Sequence, residues 1–268
     1  MDNIDYLMSE VKKKHDRVEA LVNATKPLVG KTSQRTTLYM QYLEAACRRN
    51  YYSLFSLYHL SDIQLVWFGS AALDLSRQMI EDMISIEWME LKDAEEQAKK
   101  IKRFEAVERH NNLQQSKYIG IDPANDLDQK TINQIEHEFE HVKAEFSKKN
   151  GDLFHNYNHQ SVETMIKELE GKIDASILTK DDINRIKYWY LEGNKKNHFN
   201  ADDITMYLEP EIERDTQFAR QLERSLFIGL NTFSQICLRY IDEVIKSDGG
   251  IPNVKEIRKT VIQLSDDN

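Results

Sequence analysis

From Leu222 to Val244 an apolar side chain returns every three or four positions: Leu222, Leu226, Leu230, Phe233, Cys237, Tyr240 and Val244. That spacing draws one continuous seam along a helix and predicts a single long rod over about 209–246. Such a rod must cover its seam with partners of similar length. The chain supplies them, because 9 Gly and 4 Pro in 268 residues are too few for turn-dense β architectures. No segment alternates with period two, and there is no internal repeat. The expected fold is all-α, an irregular bundle of about seven or eight helices. Its long central helices, 62–91 and 209–246, are expected to pack antiparallel.

A single domain over 1–268 is expected, with its core in about 33–118 and 180–246. Ile4, Leu7, Val11, Val18 and Val22 predict an amphipathic helix over 2–24, stopped at Lys26-Pro27. A second helix is expected over about 33–58, with Leu38, Tyr42, Ala46 and Leu54 inward. Ser61-Asp62 reads as the start of the next. Residues 92–110 continue as a charged helix. The stretch 119–179 reads as a polar helical insertion or arm, with helices at about 131–149 and 161–171. Thr179-Lys180-Asp181-Asp182 resembles a capping box opening a helix through Tyr190. Gly249-Gly250-Ile251-Pro252 ends the last rod, with a short tail helix after it.

A formal charge of -9 excludes a general basic platform for nucleic acid, though not a local basic cleft. Cys47 and Cys237 are the only cysteines, which is no disulfide framework and fits a reduced cytosolic protein. The acidic opening MDNIDYLMSEVKKKHD lacks the apolar core of a secretory signal. Asp74, Arg77, Glu81 and Asp82 interrupt the best apolar run, so no membrane span is expected. The expectation is a soluble cytoplasmic protein.

Polar residues inside apolar helices are the best pointers to a site, since a buried charge must be paired. Arg77 and Glu81 stand at i and i+4 in the stretch from Val66 to Leu91 and share a face. Either they form a plain ion pair at the core edge, or the carboxylate aligns a guanidinium toward a cleft, where its fork suits phosphate. Tyr190, Asn194 and His198 extend the line of Ile183 and Ile186 at four-residue steps. Gly193-Asn194 would otherwise stop the helix. On a continuous helix the stripe turns polar, and an imidazole beside a hydroxyl and an amide suits proton transfer.

An apolar helix with Arg-x3-Glu, a charged helix, and a later helix with Tyr-x3-Ser-x3-His resemble a bacterial domain-of-unknown-function family, number five-six-seven-seven. The resemblance covers about 60–118 and 180–245. Arg77, Glu81, Tyr190 and His198 fit its motifs, while Asn194 stands where the family has serine, which removes a nucleophilic hydroxyl. Asn194-Lys195-Lys196-Asn197-His198 more distantly resembles the HEPN helical domains of toxin and phage-defence ribonucleases. Gly193 occupies their arginine position, and Arg77 is the substitute cation. The resemblance implies a metal-independent ribonuclease or a binder of a phosphate-bearing ligand, RNA included, with no cofactor. His198 would be general acid/base, Arg77 the clamp, Glu81 its orienter, and Tyr190 and Asn194 hydrogen-bonding neighbours. The reading from a different class is a non-catalytic interaction or sensor module whose buried polar cluster is structural.

His137-Glu138-Phe139-Glu140-His141 is a literal H-E-x-x-H, the spacing of a zinc hydrolase with Glu138 as base. Its surroundings are dense in Glu and Lys, and Glu163 is the only third ligand to suggest. Arg103 and His110 repeat an Arg-x6-His spacing in a charged helix where such spacings arise freely. Gly30-Lys31-Thr32 lacks the strand and first glycine of a phosphate loop. The aromatic group Tyr51, Tyr52, Phe55, Tyr58, Trp67 and Phe68 is expected in the core, or in a homodimer or partner-protein interface.

Overall fold

A computed structural model describes residues 4–29, 37–62, 68–154, 156–158, 160–171, 184–188, 190–191, 210–247 and 250–266. The described residues form an all-α bundle whose bounded helices are α1 (Ile4–Val29), α2 (Leu38–Asp62), α3 (Gly69–Lys92), α4 (Ala94–Tyr118), α5 (Gln129–Val142), α6 (Val162–Glu170), α7 (Glu211–Lys246) and α8 (Val254–Asp266). A 3-10 turn at Pro123–Asn125 joins α4 to α5, and residues 184–188 and 190–191 are helical. Among the described residues no helix is long and apolar enough to cross a membrane.

The caps explain several boundaries. The Asp93 carboxylate accepts from the Glu96 N–H and separates α3 from α4. The next turn of α4 reaches back: Glu95 accepts from the Leu38 and Tyr39 N–H groups and closes the open start of α2. Asp128 and Ser161 cap α5 and α6. Two expected ends differ. α1 runs through Pro27 to Val29, and Leu28 is buried, so packing carries the last turn past the proline. α2 runs on to Asp62, and the Ser61 hydroxyl donates to the Tyr58 carbonyl inside that helix. The Ser61-Asp62 pair therefore closes a helix instead of opening one. Gly30-Lys31-Thr32 and Trp67 lie outside the described residues.

α7 is the axis. Its seam buries Leu222, Leu226, Leu230, Phe233, Cys237, Tyr240 and Val244, and α1, α2, α3 and α8 all pack on it. Contacts fix the directions. Gly69 lies against Phe218 and Gln221 at one end of the α3–α7 pair, and Glu87 meets Arg239 at the other. These two helices therefore run parallel, not antiparallel as expected. The long stretch between them lets the chain travel back before α7 begins, so no short loop imposes antiparallel packing. α2 is the antiparallel partner of both: Tyr51 meets Phe233 while Leu57 meets Gly229, and Tyr39 reaches Glu90 while Arg49 reaches Asp82. A Cβ at Gly229 would sit 2.7 Å from Leu57 Cδ1, and one at Gly69 only 2.6 Å from the Phe218 carbonyl oxygen. The close approach requires glycine at Gly69, where the obstacle is backbone, whereas the leucine end at Gly229 can give way.

Of the segment read as an insertion, α6 places Met165, Ile166 and Leu169 in the main core. α5 packs on α4 through a separate cluster of Phe104, Val107, Phe139 and Phe146. The aromatic group divides: Tyr51 is buried, whereas Tyr52, Phe55 and Phe68 are exposed. Cys47 and Cys237 are free and buried. They are brought together across α2 and α7, and burial, with Cys47 as neighbour, pushes the Cys237 thiol up.

Candidate functional site

Arg77 lies midway along α3. Its Nη2 is 2.9 Å from Glu81 Oε1, one turn on, with the two side chains 23% and 33% exposed. The four-residue step places both on one face. Across from them, Ile186 and Tyr190 are buried on the helical residues 184–188 and 190–191. The Arg77 Cζ lies 5.8 Å from the centre of the Tyr190 ring, within cation–π range. Three of the five expected residues therefore meet: a guanidinium held by a carboxylate along its own helix and by an aromatic face from another. Asn194 and His198 lie outside the described residues.

A more enclosed ion pair lies elsewhere. Two to three turns beyond Arg77, the Glu87 carboxylate takes both branches of a fork from Arg239: Nη2 lies 2.8 and 2.9 Å from its oxygens, and Nε 3.2 Å from Oε1. Arg239 Nη1 lies 3.2 Å from Glu90 Oε2, and the Tyr39 hydroxyl donates to Glu90 at 2.6 Å. Glu87 is 4% exposed and Arg239 15%. Burial acts against the guanidinium charge, but Glu87 and Glu90 outweigh it and hold Arg239 above its ordinary range. Burial first, and Glu90 second, push the Tyr39 phenol far up. Arg77 and Glu81 thus lie at the core edge, one of the two placements expected for them, while Glu87 and Arg239 are enclosed. The reason is geometric: a four-residue pair on one helix faces out between its neighbours, whereas Glu87 and Arg239 point at each other from two packed helices. The sequence signal was present, since Glu87 stands between Ile86 and Trp88, and Arg239 between Leu238 and Tyr240.

Asp82 forms a smaller cluster with α2. It accepts from Arg49 Nε at 2.8 Å and Asn50 Nδ2 at 2.7 Å. Burial raises its carboxyl, with Arg49 and Asn50 opposing. Glu168 fixes α6 to α3 by accepting from Trp88 Nε1 at 2.8 Å, Lys92 Nζ at 2.7 Å and Gln160 Nε2 at 3.1 Å.

The H-E-x-x-H segment lies on α5 with His137 Nε2 and His141 Nε2 3.2 Å apart. The general base that a zinc hydrolase needs is engaged: Glu138 accepts from Arg109 at 2.6 Å and from Gln134 at 2.8 Å. Among the described residues no third His, Cys, Asp or Glu, Glu163 included, joins the two imidazoles in a metal-binding group. Arg103 is paired with Glu145 and Glu96, and His110 stacks on Phe139 with ring centres 3.7 Å apart. Both are accounted for by packing of α4 on α5.

Compared with protein-family models, with curated proteins and with solved structures, the chain finds no match.

Proposed function

We propose that this chain is a helical binding protein for a phosphate-bearing ligand, RNA included, with Arg77 as the clamp. The observation that supports it is the bracing of Arg77 between Glu81 and the Tyr190 ring while its side chain keeps 23% exposure. A guanidinium already ordered loses less freedom when an anion arrives, and its planar fork matches phosphate oxygens. Glu81 keeps the fork oriented, and Tyr190 supplies a flat apolar wall. On this reading Asn194 and His198 follow Tyr190 along the same stripe, and His198 is the proton-transfer group of a metal-independent ribonuclease.

The test uses labelled single-stranded RNA with chelator present. Wild type should bind and cleave, Arg77→Met should bind at least about tenfold more weakly, and His198→Ala should bind without cleaving. Absence of RNA binding by wild type would end the RNA reading. Binding with equal cleavage by wild type and His198→Ala would remove the catalytic role.

A second reading, a non-catalytic interaction module, is favoured by one observation. The Glu87–Arg239–Glu90–Tyr39 cluster satisfies its own charges across three helices, as a purely structural device does. Binding of neither RNA nor a small phosphate ligand would support it.

A further inference from the structure

His15, Asp16 and Glu19 stand at i, i+1 and i+4 on α1, a small triangle on one side of the helix. One ligand atom from each lies within 4.8 Å of the others. The imidazole is half-buried and both carboxylates are exposed.

The ring is fixed by a hydrogen bond to α2. His15 Nδ1 is 2.8 Å from Ser61 Oγ, and the Ser61 hydroxyl spends its single proton on the Tyr58 carbonyl at 2.7 Å. The oxygen can then only accept, so Nδ1 carries the hydrogen and donates. In the neutral ring Nε2 is left with its lone pair. The ring also stacks on Tyr58, with centres 4.6 Å apart and planes 25° apart. An imidazole whose tautomer and orientation are set by a hydrogen bond on the far nitrogen is the arrangement metal-binding histidines use.

The carboxylates lie in a segment rich in cations. Lys13 is taken by Glu10, Lys14 by Glu10 and Glu223, and Arg17 by the Leu264 carbonyl. Among the described residues Asp16 and Glu19 make no hydrogen bond or ion pair. The two negative charges beside an imidazole lone pair match one divalent cation.

We propose that His15, Asp16 and Glu19 bind a divalent first-row transition-metal cation such as zinc. One nitrogen and two carboxylate oxygens suit such an ion, whereas magnesium and calcium prefer an all-oxygen set. Metal–ligand bonds of about 2.0–2.2 Å require the donors to draw closer, which the exposed carboxylates reach by rotating. Water fills the remaining positions.

Zinc alone is the probe, titrated calorimetrically into chelator-stripped protein carrying His137→Ala and His141→Ala, so that the α5 imidazole pair contributes nothing. One zinc per chain should bind. Adding Asp16→Asn with Glu19→Gln, two near-isosteric changes at exposed positions, should abolish it while the helical circular dichroism stays unchanged. Ser61→Ala should weaken it about tenfold by releasing the ring, and the visible absorption of bound cobalt(II) should weaken in parallel. Failure to bind one zinc, or undiminished binding in the Asn/Gln variant, would overturn the site. Unchanged affinity in Ser61→Ala would overturn the role given to that hydroxyl.

Discussion

Helix α3 carries two arginine–glutamate contacts about 15 Å apart along its axis, and they are opposites. Arg77 and Glu81 belong to the same helix and remain in contact with solvent. Glu87 takes its arginine from α7 and is almost entirely enclosed. The enclosed pair had to be saturated, because several kcal/mol of lost hydration per ion must be recovered by direct bonds. Its fork, its second carboxylate and its tyrosine do that, and nothing about it invites a ligand. The rim pair carries no such penalty. Its guanidinium is braced by a carboxylate and a ring, and on the proposed reading it is this arginine that serves an anion.

This contrast can be broken at several points. The largest effect should follow Arg239→Met, which strands Glu87 inside the bundle: a loss of about 3–5 kcal/mol, read as a lower urea midpoint. Adding Glu87→Leu should restore most of it. If the single variant loses under about 1 kcal/mol, the buried pair is not the structural element described.

Gly69→Ala ranks next. The new methyl would meet the Phe218 carbonyl oxygen at 2.6 Å, and backbone cannot swing aside as a leucine end can. A loss of about 1–3 kcal/mol is expected, larger than for Gly229→Ala, whose methyl meets the side-chain ends of Leu57 and Leu54. Equal losses would mean that α3 and α7 separate freely at that end.

Glu168 supplies a pH test. Lys92 and then Trp88 hold its carboxyl below the ordinary value of 4.5. A depressed carboxylate contributes stability that is fully present above 4.5 and is lost as the pH falls through the lower folded value. The side chain is 30% exposed, so solvent screening keeps its share under about 1 kcal/mol. Glu168→Gln should lower neutral-pH stability slightly and flatten the acid limb below 4.5. An unchanged acid limb would show that the contact does not link folding to protonation.

The smallest stability effect belongs to Arg77→Met, about 0.5 kcal/mol or less, yet it should weaken anion binding at least about tenfold. A large stability loss there would make Arg77 a second structural arginine and erase the contrast.

The helical class was readable because period alone carries it. The α7 seam from Leu222 to Val244 is buried as spaced, and Ile186 and Tyr190 point inward together. Direction was not readable: whether α3 and α7 run parallel depends on where the chain travels between them, which no local pattern records. The rim pair was legible because both members are four residues apart on one helix. Its buried counterpart escaped because Glu87 and Arg239 are 152 residues apart in the chain, and each alone looks like a stray charge in an apolar run. The tautomer of His15 was likewise invisible, since it depends on a hydroxyl from α2.

The most direct test is side-chain NMR of the arginine Nε–H groups during titration with adenosine 5′-monophosphate. Arg77 and Arg239 report in one spectrum under identical conditions. The Arg77 resonance should shift saturably while that of Arg239 stays in place. A stationary Arg77 signal, or equal movement of both, would contradict the division of α3 into a structural pair and an anion-binding one.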